Sequence, residues 1–170
     1  MEGGAQGVSE REVIHRRDAE TSRVSSAMRQ LDELTKQIIG AAIEVNRHTG
    51  PGLLESVYEG CLCYELNQLG LLFKRQVPLP VSYKDVKLDC GYRMDLVVGD
   101  AIVVEIKAVD HLMAIHSAQL LTYLKLSGKQ VGLLINFNEA VLKRGLKRLV
   151  NHFLDSSSRA RRLGVSTVKT

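Results

Sequence analysis

Asp95-Leu-Val-Val-Gly-Asp100-Ala-Ile-Val-Val-Glu105-Ile-Lys107 is the stretch on which the reading of this chain turns. Gly99-Asp100 separates two apolar runs, Leu88–Val98 and Ala101–Val109, and has the composition of a tight hairpin turn. Side chains alternate along a strand, so Glu105 and Lys107 share a face, and the hairpin can bring Asp95 beside them. Two carboxylates and an ammonium then meet among Ile102, Val103, Val104 and Ile106. Burying three charges among apolar strands is costly unless they are paired or bind a metal.

That cost makes the cluster a candidate site, and metal-assisted phosphodiester hydrolysis is the chemistry it suits. Mg²⁺ takes hard oxygen ligands and keeps several waters. A bound metal polarises the phosphate and generates hydroxide from water. A neighbouring lysine can orient that water or balance charge in the transition state. As bare text the spacing D-x(9)-E-x-K is weak, because an amphipathic strand can end in a solvated charge pair. The predicted hairpin and the apolar flanks of Glu105 lift it.

Working outward, Leu34, Ile38, Ala42 and Val45 recur at helical spacing and predict a helix over about Leu31–Arg47, stopped by Thr49-Gly50-Pro51-Gly52. A second helix is expected from Leu53 to Leu69, with Gly70 as its stop. Glu55 falls in its first turn, where the helix dipole favours a carboxylate. Glu59, one turn on, reads as a surface charge. Leu72–Tyr83, with Pro78 and Pro80, reads as an edge or irregular strand. After the hairpin, Met113–Leu126 is helical, and the i,i+4 spacing puts Gln119 and Tyr123 on one face. Gln130–Phe137 is a continuous apolar run that suits a buried parallel strand. A last helix is expected over Ala140–Phe153. The order is helix, helix, three strands, helix, strand, helix.

The length of 170 residues, 45% hydrophobic and 25% charged, suits one globular domain with tails. We divide it into a flexible arm over 1–30, a folded domain over 31–154 and a basic, disordered tail over 155–170. No apolar run approaches a membrane span, and the first 30 residues lack the apolar middle of a signal peptide. The expectation is a soluble, cytoplasmic protein with no membrane partner. Cys61, Cys63 and Cys90 have no metal-type spacing and are expected to be reduced. The chain has no tryptophan and 5% aromatic residues, which speaks against a broad base-stacking platform. There is no Gly-rich phosphate loop, paired CxxC or G-x-S-x-G elbow. His48, His111 and His116 read as solvated residues outside the site.

Charge is unevenly spread. Residues 31–142 carry 10 Lys/Arg against 13 Asp/Glu, and residues 143–170 carry 8 against 1. Lys143, Arg144, Lys147 and Arg148 belong to the expected folded domain and can hold phosphates without reading sequence.

An early-helix glutamate, an aspartate, an E-x-K and a following Q-x-x-x-Y helix together resemble the PD-(D/E)XK nuclease superfamily. Gly52-Leu-Leu-Glu55-Ser-Val-Tyr58, Cys90-Gly-Tyr-Arg-Met-Asp95, Glu105-Ile-Lys107-Ala108 and Leu133-Leu-Ile-Asn-Phe137 are similar to motifs of its small bacterial GxxExxY proteins. The resemblance spans about Leu34–Asn151. It implies an α/β fold of three-layer α+β type, with a restriction-endonuclease-like αβββαβ core and a mixed sheet. It implies a Mg²⁺- or Mn²⁺-dependent nuclease acting on nucleic acid, with DNA expected. Asp95, Glu105 and the Ile106 carbonyl would hold metal, Glu55 would be a further ligand, and Lys107 would be the catalytic lysine. Gln119, Tyr123 and Tyr58 would contact substrate. The alternative is an inactive nucleic-acid-binding or regulatory module on the same fold. The apolar faces of the first two helices allow a homodimer.

Overall fold

The structure is a computed structural model that describes residues 10–88 and 91–151, and the side chains from Thr21 on apart from Ser82 and Lys87. The first nine residues, Cys90 and the expected tail over 155–170 lie outside the described residues.

Helix α1 runs from Glu10 to Thr49. It thus starts well before the predicted Leu31. From Thr21 to Gln30 every side chain is exposed, and good helix formers such as Arg, Ala, Met and Gln carry the helix there without any apolar periodicity to betray it. Periodicity reveals only the half that packs, where Ile38, Ala42 and Val45 are buried. Helix α2, Glu55–Gln68, buries Tyr58, Leu62 and Leu66 beside it. Together they cover one face of the sheet.

The sheet has five strands: β1 (Phe73–Pro78), β4 (Arg93–Val98), β5 (Ile102–Lys107), β6 (Val131–Asn136) and β7 (Leu146–Val150), side by side in that order. Between β1 and β4, a separate two-stranded hairpin is made by β2 (Val81–Tyr83) and β3 (Val86–Leu88). The predicted strand Leu72–Tyr83 therefore breaks at Leu79-Pro80, and Leu88–Val98 breaks before Arg93. The central hairpin is as expected: β4 and β5 are antiparallel, with Leu96 opposite Val104 and Val98 opposite Ile102. Gly99 and Asp100 both take positive φ, and the Ala101 N–H donates to the Val98 carbonyl at 3.1 Å, which closes the turn. Strand β6 runs parallel to β5, and helix α3 (Ala114–Ser127) makes the crossover.

The expected last helix is not formed. Leu142–Gly145 is a 3₁₀ turn, and β7 follows it antiparallel to β6. Every residue of β6 is buried, so its free edge has to be paired. Leu146, Leu149 and Val150 satisfy a helical spacing, but they also suit a strand, with Leu146 toward the α1/α2 layer and Leu149 toward α3. The remainder of the predicted helix, beyond Asn151, lies outside the described residues.

The result is a mixed five-stranded sheet between α1/α2 and α3, the expected αβββαβ core with the β2/β3 hairpin inserted and β7 appended. Ile102, Val104 and Ile106 of β5 point into the α1/α2 layer. Val103 packs toward α3, with Leu120, Tyr123 and Leu124. Among the described residues, no helix is long and apolar enough to cross a membrane.

Candidate active site

The alternation that sends Val103 toward α3 sends Glu105 and Lys107 the same way. Glu105 is 2% exposed, and its Oε1 accepts a hydrogen bond from Lys107 Nζ at 2.8 Å. Its second oxygen, Oε2, is buried with no hydrogen-bond partner. A buried carboxylate oxygen left without a donor is expensive.

Asp95 comes from β4. Regular pairing with β5 ends at Leu96–Val104. Beyond it, Asp95 Oδ2 accepts from the Ile106 N–H at 2.8 Å, so a carboxylate takes the place of a strand carbonyl. In a strand, the N–H and C=O of one residue lie on the same side, so the Ile106 carbonyl is directed to the side where Asp95 sits. Gln76, at a positive φ of 48° on β1, reaches Asp95 Oδ1 at 3.5 Å and Glu59 Oε2 at 2.7 Å.

Glu55 enters from the first turn of α2. Its Oε1 accepts from the Ala108 N–H at 3.1 Å, next to Lys107. The loop before it is held by Tyr58. That hydroxyl donates to the Gly50 carbonyl at 2.7 Å and accepts from the Leu53 N–H at 3.1 Å. Gly52 has a φ of 102°, which a side chain would strain. The G-x-x-E-x-x-Y spacing is therefore a clamp: glycine turns the loop, tyrosine fastens it, and glutamate reaches the end of β5. Tyr58 is fully buried and stacks on Phe137 at 4.7 Å. This corrects its expected contact with substrate, because its ring and hydroxyl are both spent inside the fold.

The electrostatics follow from burial. Desolvation, then repulsion from Asp95, pushes the Glu105 carboxyl up to about 7, and the Lys107 hydrogen bond only partly opposes this. Burial also raises Asp95, against the pull of the Ile106 N–H and the Lys107 charge. Burial works to lower Lys107, but its hydrogen bond to Glu105 and the surrounding carboxylates outweigh it and hold the ammonium above its ordinary range.

Gln119 and Tyr123 do share a face of α3. Gln119 Nε2 donates to Tyr123 Oη at 2.6 Å, and burial raises the phenol, which also senses the charges of Glu105, Lys107 and Asp95. The structure does not bring the four basic residues together as one group. Lys143 and Arg144 are the two exposed residues of the 3₁₀ turn, at the end of the sheet where β5 presents Lys107. Lys147 is exposed on β7. Arg148 pairs with Asp32 of α1 at 2.9 Å, so its charge is committed to packing that helix. His116 Nδ1 accepts from the Met113 N–H at 3.1 Å and closes the start of α3. His48 sits beside Glu44 at 3.2 Å, and His111 is exposed.

Two residues escaped the sequence reading. Glu59 is 6% exposed rather than a surface charge, and binds Arg75 Nε at 2.8 Å. Asn136 is fully buried and grips both backbone groups of Val109, at 3.0 and 2.7 Å, fixing the chain just after Lys107. A polar residue closing an apolar strand is its signal, since a buried amide must find partners. Cys61 and Cys63 are free thiols, and burial raises Cys63.

Among the described residues, no three His, Cys, Asp or Glu side chains close around a common point as a finished metal cage. The donor set still fits a divalent cation. It offers an orphaned carboxylate oxygen, a second carboxylate raised by burial, and a backbone carbonyl, all hard oxygen donors for an ion that keeps several of its waters.

The family model of the PD-(D/E)XK nuclease superfamily matches residues 32–149, and the chain belongs to that superfamily. The match runs from the packed half of α1 to β7. A comparison with curated proteins finds no match. The superfamily is one of nucleases that generally use divalent metals; membership suggests a nuclease-type function and implies a nucleic-acid substrate.

Proposed function

We propose that this protein is a Mg²⁺- or Mn²⁺-dependent nuclease of the GxxExxY type, hydrolysing phosphodiester bonds in DNA. The observation that carries the reading is the buried, unpartnered Glu105 Oε2 on the strand that also presents Lys107, with Asp95 fastened to the same strand at Ile106. A buried carboxylate oxygen without a protein donor, beside a second carboxylate and a lysine, is what a cation site would leave for its ion.

In this reading Asp95, Glu105 and the Ile106 carbonyl hold the ion, with Glu55 as a further ligand, direct or through water. When bound, the ion supplies Lewis acidity and hydroxide at neutral pH. Lys107, kept protonated by its carboxylate neighbours, places a positive charge where the phosphoryl group gains negative charge. Asn136 holds the backbone behind it. Gln119 and Tyr123 orient the substrate backbone from α3. Lys143, Arg144 and Lys147 draw phosphates toward that end of the sheet.

The test is cleavage of single- and double-stranded DNA and RNA with Mg²⁺ or Mn²⁺ by the parent, Asp95→Asn and Lys107→Ala. Asp95→Asn keeps an acceptor for the Ile106 N–H, removes the charge and puts an NH2 where the second oxygen met Gln76. The parent should cut DNA. Each variant should lose at least about 100-fold in rate, the scale of a lost transition-state charge contact, with its near-ultraviolet circular dichroism unchanged. Equal cutting by all three proteins would show the site to be misassigned. An inert parent that still binds nucleic acid without metal would favour a non-catalytic binding module.

A further inference from the structure

Beside the carboxylates lies a groove of about 330 Å³, lined by Tyr92, Ile115, Ala118, Gln119, Thr122 and Tyr123. Its character differs from the site it adjoins. Gln119 and Tyr123, joined by a hydrogen bond, form part of its wall, and the Tyr123 hydroxyl senses the charges of Glu105, Lys107 and Asp95. Its outer wall is apolar and open. Ile115 is 62% exposed and Tyr92 47% exposed. The Tyr92 and Tyr123 rings make a T-shaped contact, with centroids 6.1 Å apart and planes at 65°. Tyr92 is thus held on one side by another aromatic ring, while much of its surface remains open to solvent. A solvent-open aromatic ring beside a charged centre can offer its π-face to a flat ligand.

We propose that this groove holds one unpaired nucleobase of the strand being cut, with Tyr92 as its stacking platform, so that the protein takes single-stranded or frayed nucleic acid in preference to intact duplex. The inference deepens the nuclease reading and rests on it for the identity of the occupant. A phosphodiester placed at Lys107 has its bases beside it, and Tyr123, which senses the Lys107 charge, lines the groove along α3. A base in a duplex has both faces covered by its neighbours and its edge by its partner. Only an unpaired base can lie on Tyr92. The scarcity of aromatics in the chain excludes a broad platform, but one ring suffices for one base. Such stacking is tolerant of sequence, because every base offers a π-face.

The test is fluorescence anisotropy of a labelled single-stranded oligonucleotide and its blunt duplex, in EDTA at one salt concentration, with the parent, Tyr92→Ala and Tyr92→Phe. The parent should bind the single strand about tenfold tighter than the duplex, and Tyr92→Ala should lose most of that advantage, as expected for one stacked base. Tyr92→Phe, which keeps the ring, should retain it. Duplex affinity should be the same in all three, which also reports that the variants are folded. Equal binding of single strand and duplex by the parent, or no loss in Tyr92→Ala, would overturn the proposal. Cleavage by the parent with Mn²⁺ is read separately. A parent that binds through Tyr92 but cuts nothing overturns the nuclease reading and keeps the groove. A parent that cuts, with single-strand affinity indifferent to Tyr92, overturns the groove alone.

Discussion

Glu105 is the residue on which most of the site's energetics turn. Its carboxyl stands at about 7 in the fold, mainly because it is buried, against an ordinary value of 4.5. The folded protein therefore holds this proton over a pH range where the unfolded chain has released it. The sign is unfavourable to stability at high pH: the fold is favoured below about 4.5 and loses that advantage as pH rises through about 7. At 1.36 kcal/mol per pH unit, the loss is on the order of 3 kcal/mol. Glu105→Gln removes the titration while keeping the shape. Denaturation in EDTA across pH 4.5 to 8 should show the variant gaining stability relative to the parent as pH rises. A difference that stays flat would mean that Glu105 titrates normally. Asp95, Glu105 and Lys107 were legible in the sequence because strand alternation and a two-residue turn are local rules. Glu59 was not. A carboxylate on a helix reads as solvated, and its partners Arg75 and Gln76 arrive from a strand whose neighbours are set only when the sheet assembles.

At the scale of elements, the segment after β6 shows how packing overrides pattern. Leu142, Leu146, Leu149 and Val150 fit a helix on paper, yet Leu142 packs in the 3₁₀ turn and the other three pair with the edge of a buried strand. Gly145 makes the reversal possible: a Cβ there would lie 2.5 Å from the Asn136 carbonyl oxygen and 2.9 Å from Glu139 Cγ. Backbone cannot step aside as a side-chain end can, so Gly145→Ala should cost about 1–3 kcal/mol. Gly40, inside α1, has nothing within 4 Å of its would-be Cβ. Gly40→Ala should therefore stabilise by about 0.5–1 kcal/mol through helix propensity alone. Chemical denaturation of the two variants should move the midpoint in opposite directions. A Gly145→Ala variant no less stable than the parent would refute the packing assigned to the 3₁₀ turn. The same contrast explains the two ends of α1. Its packed half is written in apolar spacing, whereas the exposed stretch from Thr21 to Gln30 rests on propensities too weak and unpatterned to mark a boundary.

The whole molecule divides its labour between the two faces of one sheet. The α1/α2 face is packed hydrocarbon from Ile38 to Phe137 and carries stability. It also aims Glu55, through the Tyr58 clamp, at the end of β5. The α3 face keeps a smaller apolar cluster and gives the rest of its area to Glu105, Lys107, Gln119 and Tyr123. The fold order was readable from the chain, because three of its four long periodic segments became helices or strands of the expected kind. The inserted hairpin and the edge strand were not, since both are fixed by contacts distant in sequence. The account as a whole rests on the carboxylates being a cation site. Calorimetric titration of Mn²⁺ into the parent and into Asp95→Asn, each with a nuclease-resistant phosphorothioate oligonucleotide, tests that most directly. A binding event in the parent that is absent from Asp95→Asn is the predicted result. Equal heats in the two proteins, or no binding in either, would contradict it.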